Sequence, residues 1–415
     1  MSYISVTEAL DLLKSVRGRI EDSEQIPIEQ CWGRTLAEEV VAFSDSPPFH
    51  RAAMDGYALR AQDTPGTLPI LGQVNAGEVF TQHVPQGYAV RIMTGAPLPQ
   101  ELDTVIEQEA VTRHNQHIEV PRVVKTLRNV STQGSEITRG TTVFQPGQYI
   151  GSLEMGLLAL SGYATVKVYR KPRVLLVTTG DELQNPGQAL QPGHIYNVNR
   201  YLFAALLTEA GADVTWAPPA ADTSHAVALA LSDLTPYDLV ITTGGVSVGD
   251  KDHVIQFLRN HTRLLFWRVD MHPGKSIAGA EKDHVPILAL SGNPGAAMMS
   301  WYLIGLPFVV SLYGAYLPLR HISGRLRHPF MKPTRETRYL RARIQVEQGE
   351  IFFDTQLPQG SDIITAYRQS EVLAIIPEGS PPVPSGTEVT GLMIPGLGPE
   401  RLYWLPQNHR ESPPS

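Results

Sequence analysis

The chain has 415 residues, 42% of them hydrophobic and 18% charged, with a formal net charge of −7. It can bury several cores, and its length fits about two to four domains, while the acidic balance argues against a broad nucleic-acid-binding face. No apolar run approaches the ~20 residues of a membrane span, the start Met-Ser-Tyr-Ile-Ser lacks an export signal, and Cys31 has no second cysteine to pair with; a cytoplasmic globular protein with a buried, inert thiol is expected.

Ser5 and Glu8 form a capping-box pattern, and Ala9, Leu10, Leu13 and Val16 follow helical spacing, so a first helix is predicted to run to Val16. A short strand is expected over Ile26–Ile28 and a second short helix over Cys31–Val41. From Pro47 to about Gly140 the texture changes to short β-prone runs such as Ala89–Met93 and Thr104–Glu107. This region carries Met54-Asp55-Gly56-Tyr57-Ala58, where shaping a turn is the plainer reading of Asp55, and Arg91 to Pro99. The histidines of Arg113-His114-Asn115-Gln116-His117 sit where a hairpin should turn and are read as a solvated loop.

A helix over Leu153–Ser161 and a strand over Thr165–Tyr169 precede a boundary at Lys171-Pro172. From Arg173 to about Leu312 strands and helices alternate, which predicts a parallel sheet with helices on both faces. In such folds ligands lie beyond the carboxyl ends of the strands. The strand Val174–Thr178 delivers Thr179-Gly180-Asp181-Glu182, and Asp213–Trp216 is followed by Asp222. Leu239–Thr242 ends in Gly244-Gly245-Val246-Ser247-Val248-Gly249-Asp250 with Asp252. Leu264–Val269 leads to Gly274-Lys275-Ser276, and Ile287–Leu290 to Ser291-Gly292-Asn293-Pro294 at a helix start. Acids, one lysine and glycine-shaped amide nests on one edge suit a phosphate bridged by Mg²⁺. Beyond His321 the chain returns to β structure. There, Gln359-Gly360-Ser361 with Arg368 hints at a ligand, although a rim loop with a surface arginine is the plainer reading.

The expected organisation is therefore an N-terminal helical region (1–46 with 141–171), an inserted β domain (47–140), an α/β domain (172–320), a C-terminal β domain (321–406) and a disordered tail (407–415).

These clusters, in this order, resemble the MoeA family of molybdopterin molybdenumtransferases, which includes the gephyrin E domain. The matching runs include Pro47-Pro48-Phe49, Met54 to Ala58, Arg91 to Pro99, Thr179 to Leu183, Gly244 to Asp250, Pro273-Gly274-Lys275, Gly292-Asn293-Pro294 and Gln359-Gly360-Ser361. The resemblance implies a homodimer that transfers molybdenum from molybdate to adenylylated molybdopterin with release of AMP. The molybdopterin adenylyltransferase of the preceding step is an expected partner; nucleic acid and membrane are not. Carried over by motif, Asp55, Glu182, Asp222, Asp250 and Asp252 are the acidic groups of the cleft and Lys275 the basic one. Glu182, Asp250 and Asp252 are the expected Mg²⁺ ligands. Thr179, Gly180, Gly244, Gly245, Ser247, Gly249, Gly274, Gly292, Asn293 and Pro294 are expected to contact the pterin substrate, and Arg368 to help hold molybdate. Asp55 would join the others only across an inter-subunit cleft.

The chain departs from the family pattern at Ala52, Asn197, His272, Ser291 and Gln369-Ser370. A histidine in place of a lysine at His272 should weaken anion binding near neutral pH. Two alternatives stay open: a divergent paralogue acting as a molybdopterin-binding or protein-binding scaffold without turnover, and an adenylylating relative.

Overall fold

The computed structural model describes residues 3–247, 252–314 and 319–393. The chain divides into two compact units, Ser23–Val168 and Met1–Asp22 with Tyr169–Ser415.

The second of these holds the α/β fold. Its first helix, α1 (Val6–Val16), begins at the expected capping box: the Ser5 N–H donates to Glu8 Oε2 at 2.7 Å and the Glu8 N–H to Ser5 Oγ at 3.1 Å. Ala9 and Leu13 are fully buried, so this helix packs with the sheet of its own unit. The sheet strands, in chain order, are β1 (Arg173–Thr178), β2 (Asp213–Trp216), β3 (Leu239–Thr243), β4 (Arg263–Trp267), β5 (Ala278–Lys282) and β6 (Val285–Leu290). Their spatial order is β2-β1-β3-β6-β5-β4. The first four run parallel, and β5 pairs antiparallel with both β6 and β4. Strand β5 escapes a sequence reading because Ala278-Gly279-Ala280 has no β-branched residue, and its hairpin turns on Asp283 and His284, both at positive φ, without the usual Asn-Gly. Two reversals restore the direction of β4, whose carboxyl end therefore reaches the same edge as those of β1, β3 and β6.

Helices α2 (Val198–Glu209), α3 (Ser224–Ala230) and α4 (His253–His261) flank the sheet, followed by a continuous helical run, α5 (Pro294–Ser311), with a π turn at Trp301–Gly305. Helices α3 and α4 bury Val227, Val254, Ile255 and Leu258 against β3 and β6, while Phe203 of α2 meets Trp301 of α5 edge-on. By length and composition α5 could cross a membrane, but 72% of it is buried, as befits a core helix. Strands β7 (Arg320–Leu326), β8 (Arg338–Glu347), β9 (Glu350–Asp354), β10 (Val372–Ile376) and β11 (Glu388–Met393) close into a barrel around Leu326, Leu340 and Phe353.

In the Ser23–Val168 unit, a six-stranded sheet has the order Thr104–Glu107, Gly56–Leu59, Ala89–Ile92, Gly66–Val74, His117–Val120, Thr112–His114. Cores lie on both its faces. The histidine-bearing segment is the exposed hairpin between the last two of these strands, as expected. Cys31 is buried, and burial raises its thiol pKa above the usual value. The helix expected over Cys31–Val41 does not form. Leu36 and Ala37 give their N–H groups to Gln148 and Lys167 carbonyls, each at 2.9 Å, so partners distant in sequence outcompete a local helical turn. The tail over 407–415, expected to be disordered, lies outside the described residues.

At the amino end of β3, Asp238 is buried with only 2% exposure. Its carboxylate accepts hydrogen bonds from Arg170, Arg17 and the Arg173 N–H. Burial alone would raise its pKa; the bonds from Arg170 and Arg173 and the charges of Arg170 and Arg17 outweigh it and hold the group below the usual carboxylate range. Asp238→Ala should cost about 3 kcal/mol at pH 7, read as a lowered urea midpoint, because Arg17 and Arg170 both lose its carboxylate and Arg170 keeps only that of Asp22 among the described residues. A depressed folded pKa stabilises above the unfolded value, so the difference between variant and wild type should shrink as pH falls below about 4.

Candidate active site

The carboxyl ends of the parallel strands open on a cavity of about 580 Å³. After β1 come Thr179, Gly180 and Glu182; after β2, Asp222; after β3, Gly244, Gly245 and Ser247, with Asp252 at the N-cap of α4; after β6, Gly292, Asn293 and Pro294. All of these sequence-predicted residues line the one cavity. Gly249 and Asp250 lie outside the described residues.

The cavity is strongly acidic. Glu182, Asp222, Asp252 and Asp362 line it, and among the described lining residues none is Lys or Arg. Asp181 stands beside Asp222, accepting the Asp222 N–H at 2.9 Å. Burial raises the Asp222 carboxyl pKa; the charge of His253 pulls it down, and Asp181, Glu182 and Asp252 push it further up. Among the described residues no three His, Cys, Asp or Glu side chains form a ready metal-holding group. Mg²⁺ commonly takes only one or two carboxylates and completes its shell with water and substrate phosphate, so a cavity lined by these carboxylates fits it.

Two expectations about amide donors are corrected. The Gly244 N–H donates to Leu290 O at 3.0 Å and the Gly180 N–H to Ala220 O at 3.4 Å, so these amides join neighbouring loops. Gly244 is at φ +99, and a Cβ there would sit 2.7 Å from Thr179 O, which explains the glycine by close packing. The N-terminus of α5 is also covered: the Ala296 N–H donates to Ser361 O at 2.7 Å. A Cβ on Gly295 would approach Ser361 O to 2.8 Å and Ile363 O to 2.6 Å.

The loop that covers it is held by Arg341 of the barrel, a fully buried cation donating to Ile363 O at 2.7 Å and Gly360 O at 3.0 Å. Its guanidinium stacks over Tyr367, whose hydroxyl donates to Gly295 O at 2.7 Å. This latch carries Asp362 to the cavity.

Four expected residues lie elsewhere. Lys275 is not among the lining residues, although its neighbour Ser276 is, and its ammonium pairs with Glu336 at 3.1 Å. Gly274 is buried against Ser300 and Ala296. Arg368 is exposed in the barrel and outside the lining. Asp55 belongs to the other unit, where Thr94 donates to its carboxylate through Oγ1 at 2.6 Å and N at 2.7 Å and holds its pKa below the usual range; it shapes a turn there.

Ser276, at the end of the Gly274-Lys275-Ser276 run, lines the cavity as well, whereas Asn199, Asp362 and an apolar wall of Leu183, Ile195, Tyr196 and Val198 are not singled out by the sequence reading. Leu183-Gln184 and Ile195-Tyr196 make a small parallel ladder that forms this wall. Asn199 Nδ2 donates to Gly292 O at 2.8 Å, while its Oδ1 is buried without a hydrogen-bond partner among the described residues. Asp362 directly follows the Gln-Gly-Ser run, a signal that could have been used.

Comparison with known proteins then settles the family. Residues 4–162 match the MoeA N-terminal region (domain I and II), 175–310 a probable molybdopterin binding domain, and 323–393 the MoeA C-terminal region (domain IV). A Staphylococcus epidermidis protein named molybdopterin molybdenumtransferase is 31% identical, covering 91% of this chain and 92% of its own. The chain belongs to the MoeA family. A Haemophilus influenzae protein of the same name is 31% identical over 89% of the chain and 93% of its own length. The MoeA protein of Pyrococcus horikoshii OT3 matches in structure with a TM-score of 0.80 and 27% identity, covering 94% of this chain and all of its own.

Departures from the MoeA pattern fall in different places. Asn197 lines the cavity and is almost wholly buried there, accepting the Arg200 N–H at 3.1 Å and donating to Thr178 Oγ1 at 2.8 Å. Ser291 lines the cavity and accepts the Asn293 N–H at 3.2 Å. His272 instead lines a second cavity of about 490 Å³ with Lys332 and Arg338. Ala52 is core in the other unit, Gln369 bonds Arg343, and Ser370 is buried in the barrel.

Because the folded Asp222 carboxyl has a raised pKa, its ionisation opposes folding, and its cost appears as pH rises through the folded pKa. Asp222→Asn should raise the melting temperature at pH 7 by about 1–3 °C, with the gain vanishing below about pH 4.

Proposed function

We propose that the chain is a molybdopterin molybdenumtransferase, acting in molybdenum cofactor biosynthesis and releasing AMP as molybdenum passes from molybdate to adenylylated molybdopterin. The observation that carries this reading is the cluster of Glu182, Asp222, Asp252 and Asp362 on one cavity, with no Lys or Arg among its described lining residues, at the carboxyl edge of the sheet that matches the molybdopterin-binding domain. A phosphate enters such a site only with positive charge, and Mg²⁺ held by Glu182 and Asp252, with Asp250 as a further ligand, would supply that charge and polarise the adenylyl phosphoanhydride. Asp222 tunes the field around the phosphate. Thr179, Ser247, Asn293 and Ser276 offer polar contacts, and the wall of Leu183, Ile195 and Tyr196 takes the flat ring of the substrate. Lys275, one residue from the lining, is the cation that balances charge as the anhydride breaks. Asp55 and Arg368 enter the reading only if a second subunit or the molybdate itself brings them in.

We further infer that the enzyme is a cytoplasmic homodimer that receives its pterin from the adenylyltransferase. Support for association comes from the Ser23–Val168 unit, where Trp32 is 65% and Leu153 70% exposed, costly apolar surface for a monomer. Sedimentation of the wild type should give a dimer and Trp32→Lys with Leu153→Lys a monomer; an unchanged mass in both would refute that surface.

Incubation with adenylylated molybdopterin, molybdate and Mg²⁺ should release AMP only when molybdate is present. Tight pterin binding without turnover would favour the scaffold reading, and ATP consumption with free molybdopterin the adenylylating one. Asp252→Ala should lower turnover by about 100-fold or more while leaving the melting temperature close to wild type; a large fall in melting temperature would make Asp252 structural.

A further inference from the structure

Lys275 is engaged by a carboxylate of its own chain. Its Nζ donates to Glu336 Oε1 at 3.1 Å, with side-chain exposures of 43% for the lysine and 13% for the glutamate. The geometry is built, not incidental. The His272 N–H donates to Thr337 O at 2.8 Å, and the Tyr339 N–H to His272 O at 3.0 Å. Thr337 in turn gives its N–H at 3.1 Å and its hydroxyl at 2.8 Å to the Asp270 carboxylate. The loop after β4 and the segment entering β8 are thus clipped together, and Glu336 has little freedom to leave. Burial would raise its carboxyl pKa, but the hydrogen bond and charge of Lys275, followed by the charges of His272 and Arg338, hold it below the usual range. A carboxylate thereby fills the place where a ligand anion would meet the ammonium.

We propose that Glu336 is an affinity-setting residue, an internal anion that occupies Lys275 until a ligand oxyanion displaces it. Displacement makes binding a net exchange of one anion for another, so a tetrahedral oxyanion gains less than the ammonium alone would give. The exchange also favours ligands of higher charge than a single carboxylate. Glu336 thus deepens the reading above, resting on Lys275 as the group that meets a ligand anion, which is either molybdate or the adenylyl phosphate.

Calorimetric titration of the full chain at constant ionic strength, once with sodium molybdate and once with AMP, tests this. Glu336→Gln should bind one of the two about 5-fold more tightly than wild type, a gain of the size expected for removing one competing ion pair. The ligand that gains identifies the anion. In a Lys275→Gln background the same change should give no gain. Unchanged or weaker binding of both anions by Glu336→Gln would overturn the inference, as would an equal gain without Lys275. Should Glu336→Gln fail to fold, Glu336→Asp, which withdraws the carboxylate by one methylene, must also tighten binding. Molybdate-dependent AMP release by the wild type is scored separately: release without any gain in Glu336→Gln removes only the role of Glu336, whereas a gain without release removes the transferase reading.

Discussion

Like charges crowded around one cavity are the constraint around which this molecule is arranged. Glu182, Asp222, Asp252 and Asp362 come from separate loops and face one cavity with no lining Lys or Arg among the described residues. The same sheet shows how the fold treats an acid when stability is the aim: at its opposite end Asp238 is buried among Arg17, Arg170 and the Arg173 amide. One end is neutralised by arginines, and the other gathers carboxylates around a cavity. Carboxylates held together at a free-energy cost, where burial and neighbours raise the Asp222 pKa, are the mark of a binding or catalytic site.

The C-terminal barrel belongs to this site as much as the sheet does. Arg341 is a buried cation whose partners include the carbonyls of Gly360 and Ile363, and those carbonyls fix the loop that lies on Gly295. Through that loop the barrel adds Asp362 to the cavity and covers the amino end of α5. Through Glu336 it also takes hold of Lys275. Two barrel segments thus set the charge pattern around loops that the α/β fold alone would leave differently dressed.

Much of this was legible in the sequence because it is local. Apolar runs such as Leu239–Thr242 stop at glycines, and the residues just beyond strand ends do meet around one cavity. What the sequence hid is non-local. The pairing of Lys275 with Glu336 spans 61 positions, and no spacing rule announces it. The glycine amides were read as anion donors, whereas Gly180 and Gly244 spend theirs on neighbouring loops. Strand β5 begins with Ala-Gly-Ala, which has little intrinsic β preference, and Cys31–Val41 forms no helix because carbonyls distant in sequence take the Gly33, Leu36 and Ala37 N–H groups. Asn199 and Asp362 were passed over because each is an ordinary polar residue until the fold brings it to the cavity. Asp55, whose role rests on family resemblance, and Arg368, for which the sequence offers only a loop hint beside that resemblance, are the two whose places in this chain give the least support for a role.

The most direct measurement of the central claim is the affinity of the full chain for AMP as a function of Mg²⁺ concentration, in the wild type and in Asp252→Asn. If the acidic cavity takes a phosphate only together with a divalent cation, AMP affinity should rise steeply with Mg²⁺ in the wild type, and the rise should be largely lost in the variant. AMP binding that is indifferent to Mg²⁺, or a Mg²⁺ dependence that survives unchanged in Asp252→Asn, would contradict the account.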